Sequence, residues 1–457
     1  MKSFLRNREE KNIFLVALLA HFLLFFLFAY LKGISIFWDG PQDVRAYTHL
    51  AQNILRFGSY ISLNDITPES WYTPGYPVFL AVLYAIFHSW IPVVILQNII
   101  AAFTAVIIYR IGSEYGSPRT GYIAGLLFAL EPTSATLPNF LWSETVFVFL
   151  LVISSYYFLR FVSSPNASTA MILGFLLAIA TYVRQASFFL PILMLLSIGS
   201  IYIFLKTPAW KKIFTMTILV LCITYLILTP WLVRNYIIYG RASIGGAGSM
   251  MLYFYDAVPF AYYKNSSSKI AHLFDRETVA TPAWDIPYRS FPPDMHYTAG
   301  AGLQHEKEIL AAAKHIIMRA PVEYIFFHSI TGFSGMVLKS GWTDILRRLD
   351  ISPTSTPLLW YGTAGAGILF YICVTFLASI GAIRLLRRDV RALLLAIMSI
   401  LLIAYFIAVT GPASYRERYR YPVQPYLFIL AASGILAVTE SKRFVRHTNN
   451  IKKNTKN

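Results

Sequence analysis

Charge is what this 457-residue sequence has least of: Asp, Glu, Lys and Arg make up 13% of it, about half the share usual in a soluble chain. With 56% hydrophobic and 16% aromatic residues and a mean hydropathy of +0.55, too little polar surface exists to coat a water-exposed body of this size. That excludes a soluble enzyme and a disordered chain. Cysteine is nearly absent as well. Cys222 and Cys373 are the only two, both inside long apolar runs, so a disulfide-stapled secreted domain is excluded and two small buried apolar side chains are expected. An all-α polytopic membrane protein remains.

Acidic residues are scarcer than basic ones, 22 against 39, for a net charge of +17. Seventeen of the 39 basic residues fall within 1–12, 206–212, 384–391 and 441–457, beside only Glu9, Glu10 and Asp389. Each stretch abuts an apolar run, and none interleaves aromatics as a nucleic-acid surface does, so no nucleic-acid partner is expected. The excess charge is the positive-inside signal of membrane topology, with attraction to anionic lipid as a secondary effect.

A spanning helix needs about 20 apolar residues. Candidate runs lie at 13–31, 91–111, 120–137, 144–162, 170–183, 186–205, 213–232, 358–383, 392–410 and 422–439. The first is followed by no small-x-small cleavage site and reads as a retained span. Pro77–Phe87 is too short to cross comfortably and reads as re-entrant or interfacial. Ten crossings, within a range of 10–12 helices, put every basic stretch on the cytoplasmic side. The chain then divides into a basic terminus (1–12), an N-terminal membrane module (13–231) with a first outer loop (32–76), an outer lobe (232–357), C-terminal membrane helices (358–440) and a basic tail (441–457). The lobe holds a turn-rich stretch (Pro282, Pro287, Pro292, Pro293) and an amphipathic helix around Glu306–Met318.

In the first outer loop, Asp39 is placed to cap a helix, Pro41 to sit near its first turn and Gly58 to end it. Val44, Tyr47, Ala51, Ile54 and Leu55 share one face, so Asp43 is held near the lipid headgroups. Its only near cation in sequence is Arg45. Complementing the helix dipole is the bland role for this carboxylate. The nine histidines show no HxxxH or HExxH spacing, so no cofactor is implied and a divalent metal has no ligand motif behind it. Gly362, Gly365 and Gly367 lie within a span and read as close helix packing.

Taken in order, these features resemble the C-superfamily of glycosyltransferases, membrane enzymes that use lipid-phosphate sugars. The likeness is to the branch holding the protein O-mannosyltransferases and the aminoarabinose transferase of lipid A. Asp43, Tyr47 and Ala51 match the spacing after its first span, and Tyr76-Pro77 the start of its second helix. Ser143-Glu144 matches its Ser-Glu, and Tyr182-Val183-Arg184-Gln185 its Leu-Thr-Arg-Pro, with Gln185 in place of proline. Pro230 to Asn235 matches Pro-Trp-x-x-Arg-Asn, Ala313–Ile317 with Pro321–Tyr324 matches a later pair, and Arg418 to Pro422 matches Arg-Tyr-Arg-x-Pro. Many relatives carry Asp-Glu in the first loop, where this chain has Asp43-Val44.

The resemblance implies an integral protein of a plasma or bacterial inner membrane. It would move a sugar from a polyprenyl-phosphate-linked donor to a glycan, lipid or protein acceptor on the extracytoplasmic side. A leaving phosphate needs no proton, so the chemistry needs a base and positive charge. Asp43 is the candidate base. Arg418 and Arg420 are candidate phosphate clamps, both facing one site if the backbone there is extended, with Tyr419 as a hydroxyl donor or stacking ring. Tyr47, Tyr76, Glu144, Arg184 and Arg234 are candidate substrate contacts. Glu144 can equally favour a helix start, Arg184 can snorkel and Arg234 can anchor a membrane exit. The competing class is a transporter, flippase or polymerase of lipid-linked sugars. Transporters commonly show inverted repeats and mid-membrane charge, and this sequence has no evident repeat.

Overall fold

The computed structural model describes residues 5–40, 42–62, 67–194, 210–265, 303, 305–411 and 417–454. Pro41, the proline-rich stretch from Pro282 to Pro293 and part of the 186–205 run lie outside them. The described residues form an all-α polytopic membrane fold. The first helix, α1 (Arg8–Lys32), is capped by Asn7, which accepts from the Glu10 amide, and is stopped by Gly33 at φ +80°. Helix α2 (Gln42–Phe57) follows, ended by Gly58 at φ +63°. Because α2 begins at Gln42, Asp39 lies ahead of its start and does not cap it.

Next come α3 (Gly75–Phe87), α4 (Ile91–Tyr115), α5 (Pro118–Leu130) and the single turn α6 (Pro132–Thr136). The expected crossing at 120–137 is therefore broken. Pro132 forces Glu131 into an extended conformation, and α5 stops after 13 residues. Then follow α7 (Glu144–Ser163), α8 (Ala167–Val183) and α9 (Trp210–Tyr239).

The lobe that follows α9 contributes α10 (Ala247–Met251), a π-helical turn (Leu252–Ala257), α11 (Val258–Asn265) and α12 (Glu306–Ile317). Ile309 and Ala313 of α12 are buried against Met250, Tyr253 and Val258, which confirms the amphipathic reading of that segment. The chain closes with α13 (Pro321–Val337), α14 (Gly341–Arg348), α15 (Pro357–Leu386), α16 (Val390–Thr410) and α17 (Gln424–Asn454).

Among the described residues six helices, α1, α4, α7, α9, α15 and α16, are long and apolar enough to cross a membrane. Three further expected crossings fall on shorter apolar helices, Ala167–Val183, Gln185–Met194 and Gln424–Glu440. The core runs through α1, α4, α5, α7 and α17, and α9 packs on α8. Helices α15 and α17 cross so closely that a Cβ on Gly381 would stand 1.8 Å from the Leu430 carbonyl oxygen.

Two expectations about small residues are corrected. Cys222 and Cys373 are exposed, on outward faces of α9 and α15, because in a bilayer an apolar side chain needs no protein neighbour. Gly362 and Gly365 likewise face open space, and only Gly367 makes a close approach, to Ser340.

Candidate active site

A cavity of about 740 Å³ lies between α2, the start of α7, the end of α8, the lobe, the end of α16 and the turn before α17. Its polar wall begins at Asp43, in the first turn of α2. The Asp43 carboxylate accepts from the Tyr72 hydroxyl at 3.0 Å and pairs with the Arg418 guanidinium at 2.7 Å. Arg418 stands 3.9 Å from Glu144, which binds Arg184 at 2.7 Å. Arg184 donates to the Ser143 hydroxyl at 3.3 Å, and Ser143 meets the Tyr47 hydroxyl at 3.2 Å. Four charged groups from four elements thus alternate in sign along one wall.

Local structure explains each placement. Glu144 heads α7 with Ser143 at its cap, so both point out of the helix end. Val183 ends α8, and the extended Arg184 turns its side chain into the cavity. Gly75 lets the start of α3 press on the backbone of Tyr182, where a Cβ would stand 2.6 Å from its carbonyl. This contact fixes the loop carrying Tyr72 beside the end of α8, with Thr73 donating to the Val183 carbonyl.

Burial alone would raise the Asp43 pKa, but the Arg418 charge and the hydrogen bonds of Arg418 and Tyr72 outweigh it and hold the carboxyl below its ordinary value. Burial also pushes the Tyr72 phenol up, so it stays a donor. Arg418 rests against the rings of Trp142 and Tyr419 at 5.0 and 5.1 Å. Its buried Nε has no hydrogen-bond partner among the described residues.

Six sequence-selected residues come together here: Asp43, Tyr47, Glu144, Arg184, Arg418 and Tyr419 all line the cavity. Three do not join them. Tyr76 is buried behind Tyr47, with ring centroids 4.9 Å apart and its hydroxyl on Gln97. Arg420 faces away, which corrects the paired clamp. Residues 417–420 form a 3₁₀ turn, in which positions two apart do not share a face. Arg420 is 1% exposed, donates to the Met336 and Lys339 carbonyls and lies 3.4 Å over the Tyr371 ring, 3.8 Å from Glu131. Arg234 also points elsewhere, donating to the carbonyls of Glu69 and Tyr60. With Trp231 on the Ile244 carbonyl and Asn235 on that of Ser243, its motif brackets the loop between α2 and α3 to the lobe.

On the far wall Tyr324 ends the matched motif Pro321–Tyr324, whereas Asp256 and His328 have no counterpart among the candidate site residues. Asp256, on the π-helical turn, holds His328 at 2.8 Å and accepts from Tyr324 at 3.4 Å. The other ring nitrogen of His328 meets the Ala408 carbonyl at 3.0 Å. Burial opposes protonation of His328, but Asp256 and backbone carbonyls outweigh it and raise its pKa above the ordinary value. Asp256 and the Ala408 carbonyl thus favour the protonated imidazole, and the Tyr324 hydroxyl lies 3.1 Å from the nitrogen that Asp256 holds. Sequence spacing carries no signal for such a pair. Apolar side chains, among them Phe188, Phe189, Ile244, Leu310 and Val409, line the rest. Among the described residues no group of three or more His, Cys, Asp or Glu is placed to hold a metal ion.

Residues 72–233 match the family model described as dolichyl-phosphate-mannose-protein mannosyltransferase. Comparison with curated proteins gives no match. Among solved structures, the chain is similar to the archaeal oligosaccharyltransferase AglB from Archaeoglobus fulgidus, in complex with an inhibitory peptide and a dolichol-phosphate. The identity is 15% and the TM-score 0.53, over 98% of this chain and 52% of that one. A second structure of the Archaeoglobus fulgidus oligosaccharyltransferase, with zinc and sulfate, matches at 16% identity and a TM-score of 0.55, over 94% of this chain and 50% of that one. The chain thus spans about half the length of the solved structures it matches, and the likeness is one of fold. The resemblance read from the motifs is borne out, and the chain is an integral membrane protein.

Proposed function

We propose that this protein is a glycosyltransferase that moves a sugar from a polyprenyl-phosphate-linked donor to an acceptor hydroxyl on a glycan, lipid or protein at the extracytoplasmic face. One observation carries the reading. A single cavity sets two carboxylates and two guanidiniums on one wall against an apolar lining, and the guanidiniums and the lining suit the phosphate and the hydrocarbon of a lipid-phosphate sugar. Donor phosphate sits by Arg418 and Arg184, which match its oxygens. The prenyl chain leaves along the Phe188–Phe189 side.

In the reaction the acceptor oxygen forms its bond to the anomeric carbon as Asp43 takes the proton from that oxygen. The carbon–oxygen bond to phosphate breaks with its electron pair on the phosphate. Attack opposite the leaving group inverts the anomeric configuration. Tyr47, Tyr72 and Tyr419 supply hydroxyls around the sugar.

The test is transfer by the purified full chain from labelled polyprenyl-phosphate hexoses and pentoses, with membranes of a deletion strain as acceptor. Labelled product with release of polyprenyl phosphate is expected, and no transfer from any such donor overturns the reading. Orientation is tested separately, in a chain with Cys222 and Cys373 replaced by alanine. An impermeant thiol reagent outside the cell labels Glu308→Cys and spares Arg387→Cys if the cavity is extracytoplasmic.

A further inference from the structure

Asp43 presents a difficulty as a base, because its proton affinity is suppressed by the same arginine that the donor phosphate requires. Arg418 binds Asp43 at 2.7 Å, while its Nε lies 3.9 Å from Glu144 and has no hydrogen-bond partner among the described residues. We infer that Arg418 is exchanged between two anions: it leaves Asp43 for the donor phosphate, and Glu144 holds the guanidinium on its Nε side through the exchange. The inference rests on the function proposed above.

Three features of the wall support it. Glu144 is fixed from its other side by Arg184 at 2.7 Å, so it stays in place when Arg418 moves. An approach of about 1 Å turns the 3.9 Å contact into a charge-assisted hydrogen bond. The rings of Trp142 and Tyr419, at 5.0 and 5.1 Å, support the guanidinium on its faces, and its hydrogen bond to the Tyr419 hydroxyl, at 3.4 Å, is long enough to yield when it moves.

Once Arg418 has gone over to phosphate, Asp43 keeps the Tyr72 hydroxyl at 3.0 Å. The charge of Arg184 at the end of α8 still acts on it, Tyr47 faces it from its own helix, and Glu144 stands beyond Arg418. Losing Arg418 removes the largest opponent of burial, and the carboxyl shifts toward the proton-bound form. The carboxylate becomes a stronger base when the donor is in place, and an acceptor that arrives first keeps its proton. Glu144 is a positioning residue in this scheme, because it acts through Arg418.

The pH dependence of turnover tests the exchange. The acid limb of kcat/KM for the donor reports Asp43 in the free enzyme, and that of kcat reports it in the complex. The limb is expected to rise by about 1–3 pH units from the first to the second, the range by which a neighbouring arginine shifts an aspartate. In Arg418→Gln both limbs sit at the higher pH and their separation disappears. In Glu144→Gln the separation narrows and kcat falls, which a purely structural role does not produce at unchanged thermal stability. Coincident limbs in the unaltered protein, or limbs that stay apart in Arg418→Gln, overturn the exchange and leave the glycosyltransferase reading standing. Absence of transfer from any donor removes both.

Discussion

Asp43 on helix α2 and Arg418 on the turn before the last helix meet at 2.7 Å, and Tyr72 closes the other carboxylate oxygen at 3.0 Å. The partner of this acid is therefore remote in sequence, and the adjacent Arg45 is not it. Asp43→Asn keeps volume and an acceptor for Tyr72 and removes the base. Turnover of the purified variant should fall at least about 100-fold, the usual contribution of a general base. Its melting temperature should stay close to that of the unaltered protein. Near-native turnover would remove Asp43 as the base.

Arg418 and Arg420 should separate cleanly in mutagenesis. Arg418→Ala removes a charged donor from the reacting phosphate and should cost about 2–4 kcal/mol of transition-state stabilisation, read as a roughly 30- to 1,000-fold fall in turnover. Arg418→Lys keeps the charge and loses the fork, so rescue is partial. Arg420→Ala should lower stability, by about 3 kcal/mol, because it leaves the buried Glu131 carboxylate without its nearby cation. The molecules that fold should turn over normally. A stable but inactive Arg420→Ala variant would return that arginine to the site.

The polar wall is legible in the order of motifs along the chain, because Asp43, Glu144, Arg184 and Arg418 each stand at the end of an apolar run. What stays illegible depends on geometry below the level of pattern. Whether Arg420 joins Arg418 turns on a single 3₁₀ turn, where an extended backbone would have set the two side by side. Asp256 and His328 are brought together by folding of the lobe, and nothing in their spacing anticipates it. The cysteines mislead for another reason. On a helix that is apolar all round, hydrophobicity does not distinguish the face toward protein from the face toward lipid.

Arg234 should act on turnover through the loop it holds. It donates to the Glu69 and Tyr60 carbonyls, and the Tyr60 hydroxyl donates to the Tyr72 carbonyl. Arg234→Ala and Tyr72→Phe should each lower kcat about tenfold, with a smaller change in donor KM. Because both act on the orientation of Asp43, their effects should not multiply in the double variant. Multiplicative losses would show that Arg234 acts by another route.

The last prediction concerns Glu69, which accepts from the amides of Trp71 and Tyr72 and thereby shapes the loop that carries the Tyr72 hydroxyl. It is 4% exposed, and burial raises its pKa from 4.5 to about 7 against those hydrogen bonds and the charge of Arg234. A carboxyl with a raised native pKa binds more protons folded than unfolded between those two values. Stability should therefore decline as pH rises from about 4.5 to about 7, and the full cost is present above that. At about 1.4 kcal/mol per pH unit the cost is roughly 3 kcal/mol. Glu69→Gln keeps an oxygen for the two amides and removes the ionisation. Its melting temperature should be closest to that of the unaltered protein near pH 5 and exceed it by a widening margin up to about pH 7.5. A constant difference across that range would mean that Glu69 is not the titrating group.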